Sequence, residues 1–322
     1  MTYPSQLKYV IFGKESSWGT RTATPADAGL IITDVTNPIT REINESQGIS
    51  SVTVQKISTG MLDPGVTFEG DFQHGRMLEL ILGSVSHDDQ TDWKHTFTTS
   101  NSAPSATIET GNNSSTDSVL VTTGCLVESA ELSIALNENL KLSVEFKGKN
   151  VIGESTAASS ILSSLPIFPH ALVNVYLDGV QATEVQTASI SFNKVIERSG
   201  GVSSNIYQQG HATEMKFEFA ANLGFQNTDY YRLFLTGTAT AIPSAVTAVS
   251  TADPTGTEFK IQADNGVAAG SGRREISITL ENCQYSAFTE TTSVGSLTFI
   301  DLTGSGTLKE CFTYDNIADT SW

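Results

Sequence analysis

Residues 131–147 read ELSIALNENLKLSVEFK. Leu132, Ile134 and Leu136 alternate with Glu131, Ser133 and Ala135, then Asn137-Glu138-Asn139 breaks the pattern. Leu140, Leu142, Val144 and Phe146 alternate in turn with Lys141, Ser143, Glu145 and Lys147. Period two on both sides of a short polar break is the pattern of a β-hairpin with one apolar and one polar face. The same alternation recurs at Val66, Phe68 and Phe72, at Met215, Phe217 and Phe219, and at Ile276, Ile278 and Leu280. Long helical periodicity is missing, so the chain reads as all-β with short helices.

Laid on itself, the chain repeats at an offset of roughly 150 residues. TREINESQG at 40–48 resembles NKVIERSGG at 193–201, KISTG at 56–60 falls against IYQQG at 206–210, and VTFE at 66–69 against MKFE at 215–218. Met77, Leu80 and Ile81, closed by Gly83, predict a short helix, and Tyr231, Phe234 and Leu235, closed by Gly237, predict its counterpart. Glycine just past the last turn accepts the left-handed backbone of a helix C-cap. GCLVESAEL from Gly124 matches NCQYSAFTE from Asn282, with Cys125 opposite Cys283. These matches predict two tandem antiparallel β-sandwich or barrel domains, each with one short flanking helix. The expected division is an N-terminal arm at 1–29, a first domain at 30–152, a linker at 153–169, a second domain at 170–310 and a tail at 311–322. Polar, glycine-containing loops are expected at Ser46–Pro64 and Ser199–Glu214, and a flexible hairpin turn at GVAAGSGR, 266–273.

Charged residues make up 16% of the 322 residues, and the formal net charge is −17. No basic stripe marks a nucleic-acid interface. Acidic groups beside DNA suit a surface that must not hold it. No apolar run reaches the ~20 residues of a membrane span. The opening MTYPSQLKYVIFGKES lacks a basic region before a long apolar one, so synthesis in a cytoplasm is expected. Cys125, Cys283 and Cys311, odd in number and without CxxC spacing, read as buried free thiols. The five histidines lack metal spacing, and His87, Asp88, Asp89 and Asp92 read as a solvated acidic loop. Neither a nucleophile elbow nor a phosphate loop is present. The pair Glu42 and Glu45 reads as exposed charge. No enzyme activity and no cofactor are expected; such a protein has to act through its surfaces, and sheet edges seek partners.

IFGKESSWGT at 11–20, FEGDFQHGRMLELILGS at 68–84 and GCLVESAELSIALNENLKLSVEFKG at 124–148 together resemble the tail tube (major tail) proteins of long-tailed phages and related archaeal viruses. The resemblance implies rings stacked into a hollow tube, with inner sheets of neighbouring subunits joined around a lumen through which viral DNA is ejected. It implies self-association, with a trimeric pseudo-hexameric ring preferred for a duplicated chain and a hexamer as the other possibility. The tape-measure protein and DNA would pass in the lumen without specific binding, and tail-tip and tail-terminator proteins would meet the ends. The lumen sheet would draw on Glu131–Phe146 and Val185–Phe192, with second-half counterparts at Met215–Phe219 and Leu297–Asp301. Glu131, Glu138, Lys141 and Glu145 would line the lumen, and Ser46, Gln47, Lys56 and Asp63 would stand in an inter-ring loop. A β-sandwich adhesion or glycan-binding module is the competing reading; it calls for clustered loop aromatics, whereas Trp18 and Trp93 are scattered.

Overall fold

The structure is a computed structural model and describes residues 8–22, 31–46, 53–54, 56–88, 92–112, 119–154, 165–224, 257–268, 270–291 and 298–315. It is all-β, as the alternation requires. The strands are β1 (Lys8–Lys14), β2 (Ile32–Thr36), β3 (Ile39–Ser46), β4 (Lys56–Asp71), β5 (Gly83–Asp88), β6 (Trp93–Thr99), β7 (Ala106–Asn112), β8 (Val119–Ala135), β9 (Lys141–Lys147) and β10 (Asn150–Glu154). The second half adds β11 (Val173–Leu177), β12 (Val180–Ala182), β13 (Val185–Gly200), β14 (Tyr207–Gly224), β15 (Glu258–Asp264), β16 (Glu275–Thr291) and β17 (Phe299–Asp315). Among the described residues the one α-helix is α1 (Arg76–Leu82), wholly buried and closed by Gly83 at φ 111°. The helix expected near Tyr231 lies outside the described residues.

An inner antiparallel sheet runs through both halves in the order β2-β4-β9-β8-β13-β14-β17-β16. The first half enters it through β2, β4, β9 and β8, the second through the other four strands. Outside it, β1, β7, the start of β8 and β10 form one outer sheet. The other outer sheet contains β12, β11, β15, the start of β16 and the end of β17, and it continues into β6 and β5. The β5–β6 hairpin of the first half therefore completes a sheet of the second. Residues 8–14, in the expected arm, and 311–315, in the expected tail, are strand as well. Phe68, Phe146, Leu132, Ile190, Phe192 and Phe219 turn inward from the inner sheet to the shared core, and α1 packs into it.

β8, β16 and β17 are long strands that belong to both layers. β8 and β16 each cross between the layers at a residue in the left-handed region, Gly124 (φ 65°) and Asn282 (φ 52°). These two residues stand opposite each other in the sequence match, each followed by a buried cysteine. Cys125, Cys283 and Cys311 are free and buried, and burial pushes the Cys283 thiol up to about 12.

Strand pairing carries the repeat much further than the sequence. Every pair that β2 and β3 make with β4 recurs 153 positions later between β13 and β14: Ile39↔Pro64 becomes Phe192↔Phe217, and Ser46↔Lys56 becomes Ser199↔Gln209. The bulge between Arg41 and Ile43 recurs between Lys194 and Ile196. Every β8–β9 pair recurs 158 positions later between β16 and β17, with the shift between Val127 and Ser129 repeated between Tyr285 and Ala287. Bulges fix register, so coincident bulges fix the equivalence residue by residue.

That equivalence corrects three expectations. Within it, TREINESQG and NKVIERSGG stand in register, but Lys56 matches Gln209, not Ile206, and Val66 matches Phe219, not Met215. The expected loops Ser46–Pro64 and Ser199–Glu214 are mostly strand: β3 with β4, and β13 with β14, form long two-stranded arms. The arms were unreadable by alternation because solvent reaches both faces; β3 is exposed along its whole length. Leu136, expected on the apolar face, is 51% exposed because the chain already turns there. The turn at 266–273 does join β15 to β16.

Candidate functional site

The inner sheet has two faces of opposite character. One is the apolar core face. On the other, Glu131 on β8, Lys141 and Glu145 on β9, Glu69 on β4, Glu218 on β14 and Asp301 on β17 alternate with the buried positions. Glu131, Glu138, Lys141, Glu69, Asn222 and Asp301 border one shallow concavity on this face. Lys141 Nζ meets Glu138 Oε2 at 2.8 Å and Glu69 Oε1 at 3.5 Å. The hydrogen bond to Glu138, together with both carboxylates, holds the ammonium above its ordinary range. Ser129 Oγ donates to Glu145 at 3.3 Å, Asn193 Nδ2 to Glu218 at 3.0 Å and Asn222 Nδ2 to Asp301 at 2.6 Å. The carboxylates are thus held by neutral amides and hydroxyls as well as by lysines, and they keep the face acidic.

The structure brings Glu131, Lys141 and Glu145 to this one face, with Glu138 in the turn at its end. Glu69, Glu218, Asn222 and Asp301 share the face and were not singled out in the sequence. Glu69 and Glu218 lie within the alternating stretches 66–72 and 215–219, but only pairing shows that these strands and the one carrying Asp301 share one sheet. Of the expected inter-ring residues, Ser46 ends β3, Lys56 begins β4, Asp63 lies within β4, and Gln47 lies outside the described residues. Asp63 Oδ1 accepts from Arg198 Nη2 at 2.7 Å. Leu62 N donates to the Asn205 carbonyl at 2.9 Å, so the two arms touch within one chain.

At its ends the sheet has two strands with a partner on one side: β2 pairs with β4, and β16 beyond Asn282 pairs with β17. Among the described residues no further strand stands beside either. Apolar side chains are exposed near one of these edges and on the adjoining arm: Ile39 at 42%, Ile43 at 64% and Ile57 at 66%.

A second constellation organises the stretch IFGKESSWGT. Glu15, buried, accepts from Gly19 N at 2.7 Å, Ser105 Oγ at 2.6 Å, Thr107 Oγ1 at 2.9 Å and Gly124 N at 2.8 Å. Trp18 Nε1 donates to the Gly124 carbonyl at 3.0 Å, and Lys149 Nζ lies 4.7 Å from the centroid of the Trp18 ring system. A side chain at Gly124 would place its Cβ 2.6 Å from Lys149 Cβ. The motif therefore staples the point where β8 changes layers.

Among the described residues there is no cluster of three metal-ligating side chains. His87 and His95 face each other at 2.7 Å, and His95 meets Asp315 at 3.1 Å. The expected solvated acidic loop is corrected: His87 and Asp88 lie in β5, and Asp92 is buried and accepts from Gly270 N at 2.6 Å; Asp89 lies outside the described residues. Among the described residues no helix is long and apolar enough to cross a membrane.

The described residues thus form a two-layer β protein whose larger sheet has one polar, acidic face and end strands, β2 and β16, that pair with a described strand on one side. A model of the phage tail tube protein family matches residues 5–282, and the chain belongs to that family. It is a structural protein of the virion tail. A comparison with curated proteins finds no match.

Proposed function

We propose that copies of this chain close into rings that stack as a hollow tail tube, and that viral DNA leaves the virion through the lumen. The observation that carries this reading is the inner sheet, which among the described residues is continuous across both halves, apolar on one face, acidic on the other and paired on one side only at its end strands β2 and β16. Closing such a sheet removes its edges. A head-to-tail contact between opposite edges closes only if the rotation fits. Two equivalent halves per chain favour three chains per ring with pseudo-sixfold symmetry over six.

Glu131, Glu138, Lys141 and Glu145 would then face the lumen with Glu69, Glu218 and Asp301, a wall that repels phosphates and does not hold them. The tape-measure protein would occupy the lumen before DNA. Tail-tip and terminator proteins would meet the tube ends. The β3–β4 arm, with Ser46 and Lys56 paired toward its end, would reach the next ring, with Asp63 anchoring its base to Arg198 and Gln47 assigned to the same inter-ring contact. Assembly would take place in the host cytoplasm. An active site is not part of this reading, and neither is a cofactor.

Electron microscopy of the purified chain, seeded with the tail-tip complex, tests this. Hollow tubes with threefold symmetry are expected. Six chains per ring would overturn the trimer, and a chain that stays monomeric with the initiator present would overturn the tube.

A further inference from the structure

The chain already contains one seam between two tube units. In it β8 of the first half lies antiparallel to β13 of the second, with Ser189↔Ser133, Ile190↔Leu132, Ser191↔Glu131, Phe192↔Ala130 and Asn193↔Ser129 as facing pairs. β13 is the repeat equivalent of β2 with β3, and β16 is the equivalent of β8. We infer that the seam between copies of this chain repeats the internal one, with β16 of one copy against β2–β3 of the next in a defined register. This rests on the ring proposed above and adds its residue pairs.

Moving one side of the internal seam forward by 158 positions and the other back by 153 gives the pairs Thr36↔Thr291, Asn37↔Glu290, Pro38↔Thr289, Ile39↔Phe288 and Thr40↔Ala287. Three observations agree with this register. The hydroxyl pair Ser189↔Ser133 becomes the hydroxyl pair Thr36↔Thr291. Phe192, fully buried beside Ala130 in the internal seam, corresponds to Ile39, which is 42% exposed in the single chain and would be covered beside Phe288.

The third observation is the proline. In an antiparallel strand the N–H and C=O of one residue point to the same side, and the side alternates. The Pro38 carbonyl accepts from Gly65 N at 2.7 Å, so its missing N–H falls on the β4 side. Val35, Asn37 and Ile39 direct their backbone groups outward, and these are the equivalents of Ala188, Ile190 and Phe192, which meet β8. A proline on an edge strand costs the new ladder nothing when its N–H side already faces inward. The partner is thus a second copy of this chain.

Thr36↔Thr291 is predicted to be a pair without mutual backbone hydrogen bonds, where Cα atoms lie ~4.5 Å apart. That separation is within the range a disulfide spans. The native cysteines are buried and will not compete. The full chain carrying Thr36→Cys and Thr291→Cys is assembled, oxidised and run on a non-reducing gel, beside Thr36→Cys with Glu290→Cys, which places the thiols on opposite faces. Covalent dimers and trimers are expected from the first and at least about tenfold less from the second, since a one-residue slip flips every side chain. Tubes in the microscope without the cross-link would overturn the register while leaving the tube reading standing. Neither tubes nor cross-link, with the unaltered chain also failing to assemble, would overturn both. A second variant guards against misfolding: Ile39→Asp should keep the monomer's circular dichroism and thermal midpoint yet block ring formation, and normal rings from it would sink the seam.

Discussion

The two halves solve one problem in two ways. Each has a strand that changes layers at a left-handed residue, Gly124 in β8 and Asn282 in β16, with a cysteine next to it facing the core. In the first half the exposed backbone of that step is gathered by a buried carboxylate, Glu15, which reaches across from the β1 side to four donors. In the second half two threonines do comparable work: Thr257 Oγ1 donates to the Cys283 carbonyl at 2.8 Å while Cys283 N donates to the Thr257 carbonyl at 3.2 Å, and Thr307 Oγ1 donates to the Glu281 carbonyl at 3.2 Å. Backbone geometry survived the divergence of the halves, while the side chains that satisfy it did not. A bulge dictates which polar groups need partners, not which residues supply them.

The sharpest way to break this comparison is to remove both supports. Glu15→Ala leaves two backbone N–H groups and two hydroxyls to find other partners in a buried place, and should lower stability by about 3–5 kcal/mol. Thr257→Ala should cost only about 1–2 kcal/mol. Urea unfolding of both variants measures the difference, and equal losses would show that the two bulges do not differ in how they are held. The turn residue itself comes next. Gly124→Ala meets both the left-handed backbone and Lys149, and should cost about 2–4 kcal/mol. Asn282→Gly relaxes its backbone and should stay within about 1 kcal/mol of the parent in the same assay.

The smallest effect compares Lys194 with its repeat equivalent Arg41, which is exposed. Lys194 is buried, donates to the Leu80 carbonyl at 3.4 Å, and is pushed down to about 8 by desolvation. The unfolded lysine keeps its proton to about pH 10.4. Between about pH 8 and pH 10 the unfolded chain therefore binds more protons than the folded one, and Lys194 makes stability rise with pH across that window. Lys194→Met should remove this rise in thermal or urea midpoints, whereas Arg41→Met should leave it in place.

Alternation made the inner sheet legible because one of its faces is buried. Leu132, Ile134, Val144 and Phe146 declared their strands, and Glu131, Lys141 and Glu145 were placed on the polar face by parity alone. The arms were misread as loops because a two-sided exposed strand such as Ile39–Ser46 leaves no period-two signature. The repeat was visible where Gly124 and Asn282 anchor it, and slipped by three and four residues where the Lys56–Asp71 strand passes the bulge facing Arg41 and Ile43. Glu15 could not be read as a staple, since three of its four partners stand 90, 92 and 109 residues away. Which strands neighbour one another, and hence that Asp301 joins Glu131 on one surface, is decided by tertiary pairing.

β8 runs unbroken through both layers, and so does β16. A force applied to the inner sheet is therefore carried by covalent backbone directly into the outer one. Two sheets held only by side-chain packing can slide over each other when loaded. Here sliding would have to stretch a strand or tear out the ladder on both sides of Gly124. In engineering terms the sandwich is cross-braced, and the glycine with its buried glutamate is the pinned joint of the brace, where a mechanical load would be expected to concentrate first.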